Sequence, residues 1–285
     1  KSHQPSRKHA AILPYFQLWR YPRGLITINI VCIIAFSVFT QTAKALPLQS
    51  NITKDIDSMK EVTKETYVAW YENMLFWRKF EDKLAAVYIQ QKVRGFLHLY
   101  NGQEAVLAGS LHAMDLSKDR MITAYRNHVQ PIGMGVDPKK VMAELYGKST
   151  GTSQGLGGSM HIFSKEHRFH GGHGIVGGQI PLGAGMAFGD KYHGSDAVTL
   201  CYMGDGAVRQ GSLHETLNLA MLWKLPVVFI VENNGYAMGT SVERTANHTD
   251  IWRLGLGYEM PCGPIDGMDP VKVAEGISEA INREI

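Results

Sequence analysis

After about residue 60 the chain alternates short apolar, β-branched runs with stretches whose apolar residues recur at helical spacing. Ala197 to Met203 and Pro226 to Val231 are runs suited to buried strands, and Leu213 to Trp223 between them has the helical period. Strand, helix and strand in that order predict a right-handed parallel unit. Both strands then end at the same sheet edge. Upstream, Thr63-Lys64-Glu65-Thr66 starts a helix whose apolar face is Val68, Tyr71, Leu75, Leu84, Val87 and Tyr88, running to about Lys92. Asn101-Gly102-Gln103-Glu104 leads into a small-residue helix through Met114, and Met121 to Ala124 reads as a strand. Asp137 as a cap, Pro138 in the first helical position and Gly147 as a stop predict a short helix over Lys139 to Tyr146. A helix rich in glycine and alanine begins near Pro181, packing closely on the sheet or on another subunit. Asp266 to Pro270 caps a last amphipathic helix with Val273, Ile277 and Ile281 on one side. Gly151 to Gly158 reads as an ordered loop, and Gly239 to Pro264 as loop-like. No repeat or low-complexity linker interrupts residues 60–285, which read as one large α/β domain, a parallel sheet flanked by helices.

Composition narrows the function classes. A 285-residue chain that is 45% hydrophobic and 19% charged is globular, with enough sequence for one large core. A net charge of +3 gives no argument for nucleic acid. Cys32, Cys201 and Cys262 show no paired or zinc spacing, which suits a reducing compartment. Many of the 30 glycines lie between residues 147 and 189, among apolar residues, and point to loops that carry phosphate or substrate.

Residues 1–58 differ from the rest, with no acidic residue before Asp55 and an apolar run from Leu25 to Phe39. That run is about 15 residues, short of the ~20 that span a bilayer, so no membrane segment is expected. It reads as a leader (secretory or organellar) or as non-native translation upstream of a natural start at Met59, and no function is assigned to it.

The chemistry gathers at Gly204-Asp205-Gly206, with Asn234 of Glu232-Asn233-Asn234-Gly235-Tyr236 at the end of the next strand. Glycines let backbone amides approach a phosphate, and the following helix would offer its positive N-terminus. A carboxylate plus an amide oxygen is hard-oxygen chemistry, suited to magnesium shared with a diphosphate. Alone, Gly-Asp-Gly is more often a plain turn. The pairing with Asn-Asn resembles the thiamine diphosphate signature.

Further stretches carry the resemblance: Arg94 to His98, Ile122 to Arg126, Gly157 to His161, Gly174 to Gly177, Gly239 to Arg244 and Asp266 to Met268, in order. From about Thr63 onward the chain resembles the alpha subunits of the first component of pyruvate dehydrogenase complexes, within the thiamine diphosphate-dependent 2-oxo acid dehydrogenases. Gly206 to Gly211 and His248 to Asp250 are similar to bacterial members. The resemblance therefore implies a thiamine diphosphate-binding fold and a cytoplasmic enzyme (a mitochondrial matrix enzyme if the N-terminal stretch is a transit peptide).

The resemblance also implies roles. Asp205, the side-chain oxygen of Asn234 and the carbonyl of Tyr236 would hold Mg2+. Gly206 and Ala207 would offer amides to the diphosphate, and Tyr125 and Arg126 would touch phosphates or substrate. Gly174 and Val176 would lie against the cofactor rings, and His98 would be the catalytic histidine facing the substrate. The implied reaction decarboxylates pyruvate and passes the acetyl unit to lipoyl groups of the second component, feeding acetyl-CoA formation. The glutamate that activates the cofactor belongs in such enzymes to a beta subunit, so an α2β2 heterotetramer is implied. Without the resemblance, Val176 reads as core, Arg126 as a surface ion-pair residue and His98 as a satisfied polar histidine. His161, His167, His170 and His173 do not have the spacing of a helical zinc motif.

Similar proteins continue past the last helix, so this chain is expected to be C-terminally truncated. Arg209 stands where animal relatives have a small polar residue. The rival readings are a branched-chain 2-oxo acid or acetoin dehydrogenase subunit, an inactive subunit that only binds the beta chain, and an ordinary nucleotide-binding turn. Gln103-Glu104 after Asn101-Gly102, with His98 and Gly-Asp-Gly, favours pyruvate; the last rival lacks a Gly-x-Gly-x-x-Gly after a strand.

Overall fold

The computed structural model describes residues 29–34 and 61–284. Its centre is a six-stranded sheet in the order β3-β2-β4-β5-β1-β8, built from β1 (Asn29–Ile34), β2 (Arg120–Ala124), β3 (Phe169–His173), β4 (Thr199–Gly204), β5 (Val227–Asn233) and β8 (Cys262–Asp266). A separate hairpin pairs β6 (Tyr236–Ala237) with β7 (Thr240–Ser241). Strands β3, β2, β4 and β5 run parallel, whereas β1 is antiparallel to both β5 and β8. Six residues of the apolar run Leu25 to Phe39 are thus a sheet strand, with Asn29 opposite Asn233 and Asp266. The leader and start-site readings of residues 1–58 otherwise lie outside the described residues.

Helices cover both faces, as buried parallel strands require. Strand β5 shows how: Val228 and Ile230 enter the core on one face, and Val227, Phe229 and Val231 the core on the other. On the first face lie α1 (Lys64–Ile89), α2 (Glu104–Ala113) and α8 (Pro270–Glu284), and on the second α5 (Gln179–Tyr192) and α6 (Gly211–Trp223). Two glycines set the approach of helices to their neighbours. A Cβ on Gly109 would lie 2.5 Å from Val273 Cβ, so α2 and α8 touch backbone to side chain. One on Gly183 would lie 2.9 Å from Cys201 Sγ, which seats α5 directly on β4. That helix also turns Leu182, Phe188 and Tyr192 outward.

Helix α1 begins where expected, with Thr63 and Thr66 exchanging side-chain and backbone hydrogen bonds at 3.3 Å. Its buried face shares Leu84 and Val87 with the one expected and otherwise differs. Val68, Tyr71 and Tyr88 are exposed, and Trp70, Met74, Trp77, Phe80, Glu81, Leu84 and Val87 are buried. Apolar residues surround this helix on all sides, so periodicity could not choose between two stripes. Helix α4 (Pro138–Leu145) starts at the Asp137 cap, whose side chain accepts the Lys139 N–H at 2.8 Å. The stretch after Gly239 is more regular than expected, with β7, α7 (Val242–Thr245), a 3-10 segment Ile251–Tyr258 and β8. Strand β3 carries no apolar alternation, since its sequence is Phe-His-Gly-Gly-His. Between β2 and β3 runs α3 (Val129–Gly133), followed by α4.

The glycine-rich loop corrects another expectation. The buried carboxylate of Glu144 accepts the N–H groups of Ser153 (2.7 Å), Gly155 (2.8 Å), Gly157 (2.7 Å) and Gly158 (3.1 Å). These amides are bound to an internal anion, so this loop is scaffold and not a phosphate cradle.

Candidate active site

The parallel register places Gly204 of β4 opposite Glu232 of β5. Asp205 and Asn234 therefore leave the sheet together, at the edge where β2 and β3 also end. Two side chains shape the second turn: Asn233 Oδ1 accepts the Gly235 N–H and Asn234 Oδ1 the Tyr236 N–H, each at 3.2 Å. Gly235 between them has φ +83°, a conformation that favours glycine. The β6–β7 hairpin then folds back over the first strand end. A Cβ on Gly206 would lie 2.5 Å from Ala237 Cβ, so only glycine fits there.

Ala207 to Arg209 form a 3-10 turn, and α6 starts only at Gly211. The amides of Gly206 and Ala207 thus belong to this turn, not to the α-helix N-terminus that the sequence suggested. The loop Gly174 to Gly178 packs on the turn: a Cβ on Gly177 would meet Gln210 Cγ at 2.7 Å and Ala207 O at 3.7 Å. Gly174 lies beside the His161 ring, and Val176 is exposed, not part of the core.

Asp205 is 4% exposed, and burial raises its carboxyl above the usual range. The backbone N–H groups of Asp205 and Gly206, with Arg209 and Arg126, oppose that rise. A carboxylate in this position gains from a divalent cation, and Asn234 Oδ1 and the Tyr236 carbonyl are hard oxygens on the adjoining turn. The donor chemistry therefore fits magnesium. No cluster of three or more His, Cys, Asp or Glu able to hold a metal occurs among the described residues. Ser164 bonds His167 and Arg120 His170, while His161 and His173 bond main-chain carbonyls, so these histidines serve separate local roles.

His98 and Tyr125 stand together, ring centroids 4.3 Å apart. Burial, followed by the charges of Arg126 and His128, lowers the His98 pKa. Its imidazole is accordingly neutral at pH 7, able to donate from one nitrogen and accept at the other. Arg126 joins the two parts of the site. Its Nη1 donates to Leu99 O next to His98, and its charge acts on both Asp205 and Glu232.

The sequence reading missed the network beneath this edge. Glu232 is buried within β5 and has its pKa raised to about 7 by that burial. The Tyr100 hydroxyl donates to it, Gln103 also bonds it, and Gln103 Oε1 accepts from Asn234 Nδ2 at 3.4 Å. A glutamate at the end of an apolar strand was the available signal. Gln103 thus braces Asn234, while Glu104 makes a bidentate pair with Arg78 at 2.6 and 2.8 Å.

Comparison with known proteins shows the family of the chain. Residues 72–285 match the family model described as "Dehydrogenase E1 component". Relatives named "Pyruvate dehydrogenase E1 component subunit alpha" include one from Zymomonas mobilis, 47% identical over 77% of this chain, and one from Rhizobium meliloti, 48% identical over 79%. A chloroplastic alpha-3 subunit of Arabidopsis thaliana is 44% identical over 78% of the chain. The chain spans 62%, 64% and 53% of the lengths of these three. With a thiamine diphosphate-type α/β fold and a family match over most of its length, the chain belongs to the dehydrogenase E1 component family.

Proposed function

We propose that the chain is the thiamine diphosphate- and magnesium-dependent alpha subunit of a pyruvate dehydrogenase first component, working in an α2β2 heterotetramer with a beta subunit. The observation that carries this is the corner where Asp205 and Asn234 leave adjacent parallel strands, in a chain whose relatives are named as that subunit. In this reading Asp205, Asn234 Oδ1 and the Tyr236 carbonyl hold Mg2+, and the Gly206 and Ala207 amides face the diphosphate. Arg126 keeps guanidinium N–H groups for phosphate or substrate while one of them holds Leu99 O. Gly174 and Val176 line the space for the cofactor rings.

Bound thiamine diphosphate supplies the electron sink for decarboxylating a 2-oxo acid. His98, neutral because burial lowers its pKa, donates a ring N–H toward the carboxylate of pyruvate. The two-carbon unit left after loss of carbon dioxide would be oxidised to acetyl as it passes to the lipoyl disulfide of the second component, which is reduced in the same transfer. The glutamate that activates the cofactor belongs to the beta subunit, so each chain supplies half of the site. A cytoplasmic location is part of the proposal, supported by the bacterial wording of Gly206 to Gly211.

Co-expression with a beta subunit, then pyruvate-dependent dye reduction and calorimetry of thiamine diphosphate with Mg2+, tests the reading. Turnover with pyruvate and Mg2+-dependent cofactor binding are expected. Turnover on branched-chain 2-oxo acids or acetoin alone would replace the substrate. Cofactor binding without turnover would favour an inactive subunit that only binds its partner. Binding of NAD or ATP in place of thiamine diphosphate would overturn the proposal.

A further inference from the structure

Beneath the candidate site lies a buried Glu81, His128 and Ser159, 0%, 0% and 4% exposed. His128 Nδ1 is 2.9 Å from Glu81 Oε2, and His128 Nε2 is 2.7 Å from Ser159 Oγ. The order Glu–His–Ser resembles a nucleophilic triad. Here no substrate reaches the hydroxyl, and its remaining contact is within the protein: Ser159 Oγ accepts the His98 N–H at 3.4 Å. Glu81 Oε1 in turn accepts the Tyr100 N–H at 3.2 Å.

We propose that Glu81, His128 and Ser159 form a positioning relay that holds the backbone of His98 in place, an inference that rests on His98 being the catalytic histidine. Residues 93–103 form no helix or strand, so the loop needs partners for its backbone groups. Three consecutive residues obtain them from side chains: His98 N from Ser159, Leu99 O from Arg126 and Tyr100 N from Glu81. A carboxylate only accepts, so His128 Nδ1 donates to Glu81, while Nε2 bonds Ser159 Oγ, which has two lone pairs besides its proton. That leaves a serine lone pair for the His98 N–H. The relay joins α1, the turn before α3 and the Gly157–His161 segment, three regions far apart in sequence, behind one loop.

The test measures amide hydrogen exchange of the full chain, and kinetics of its complex with a beta subunit, for Ser159→Ala and His128→Gln. Each cuts a different link. Exchange in the peptide covering 96–101 should rise about fivefold, the change that loss of one net hydrogen bond gives. Peptides from α2, α5 and α8 should move less than about twofold on the same scale. In the complex, kcat with pyruvate should fall about tenfold while the dissociation constant of thiamine diphosphate stays constant, as for loss of orientation without loss of binding. Unchanged exchange at 96–101 overturns the relay, and so does equal acceleration in every peptide, which would mean a packing role only. His98→Ala separates the two readings. If it leaves kcat intact while Ser159→Ala loosens 96–101, the role given to His98 fails and the backbone clamp stands.

Discussion

Two glycine-bearing turns in this molecule invite the same interpretation and have opposite fates. Around Glu144, the loop Gly151 to Gly158 has the higher glycine density and four amides converging on an anion, but that anion is the protein's own carboxylate. Around Asp205, fewer glycines surround a buried carboxylate whose pKa is raised, with amide and carbonyl oxygens on the next turn. The first turn satisfies its charge internally and serves stability. In the proposed function the second leaves its charge for a cation and serves binding. Glycine content is common to both, so the location of the neutralising charge decides between scaffold and site.

The sharpest way to break this contrast is at Glu144. Glu144→Ala should destabilise the fold by about 3 kcal/mol, because four partly buried amides lose a fully buried charged acceptor. Urea denaturation checks this; a loss under ~1 kcal/mol would deny the loop its scaffold role. Asp205→Asn should behave in the opposite way, weakening Mg2+-dependent thiamine diphosphate binding at least about 100-fold, by analogy with the upper range for lost metal-site partners. Its fold should be unchanged or more stable at pH 7: the raised carboxyl pKa means that ionised Asp205 opposes folding there, and the amide removes that cost. Calorimetry and thermal melts on one preparation separate the two effects.

Gly206→Ala probes the hairpin lid of the site. The added methyl would meet Ala237 Cβ, costing about 1–3 kcal/mol, and Ala237→Gly in the same chain should recover much of it. The smallest effect is in pH. Burial lowers the pKa of His98, His170 and His173, so their contribution is present above the ordinary histidine value of 6.5 and is lost as pH falls through the depressed folded values. Stability should decline on acidification below 6.5, with the β2–β3 edge loosening first. His170→Gln should flatten that decline in melts taken between pH 7.5 and 5.5.

Legibility varied with the range of the interaction. The strands β4 and β5 and the helix between them were legible because period and capping are local properties, and their parallel arrangement followed from connection handedness. So was the exit of Asp205 and Asn234 from the sheet at one edge. The buried face of α1 was not, since apolar side chains surround it and only packing selects Trp70, Met74 and Trp77. Strand β3 escaped notice because it follows β2 in the sheet through register and not through apolar alternation. Glu81, His128 and Ser159 carry no common motif, and their association exists only once three separate segments are folded together.

By itself, the sequence determined the α/β class, the strand–helix–strand unit of β4, α6 and β5 and the turn residues that end those two strands, because backbone preferences and hydrophobic period act over a few residues. Tertiary structure decided which amides bond Glu144, that a 3-10 turn directly follows Gly206, and that buried Glu81, His128 and Ser159 stand behind His98. These outcomes depend on groups distant in the chain becoming neighbours, where burial and the nearest available charge set the energy of each polar atom.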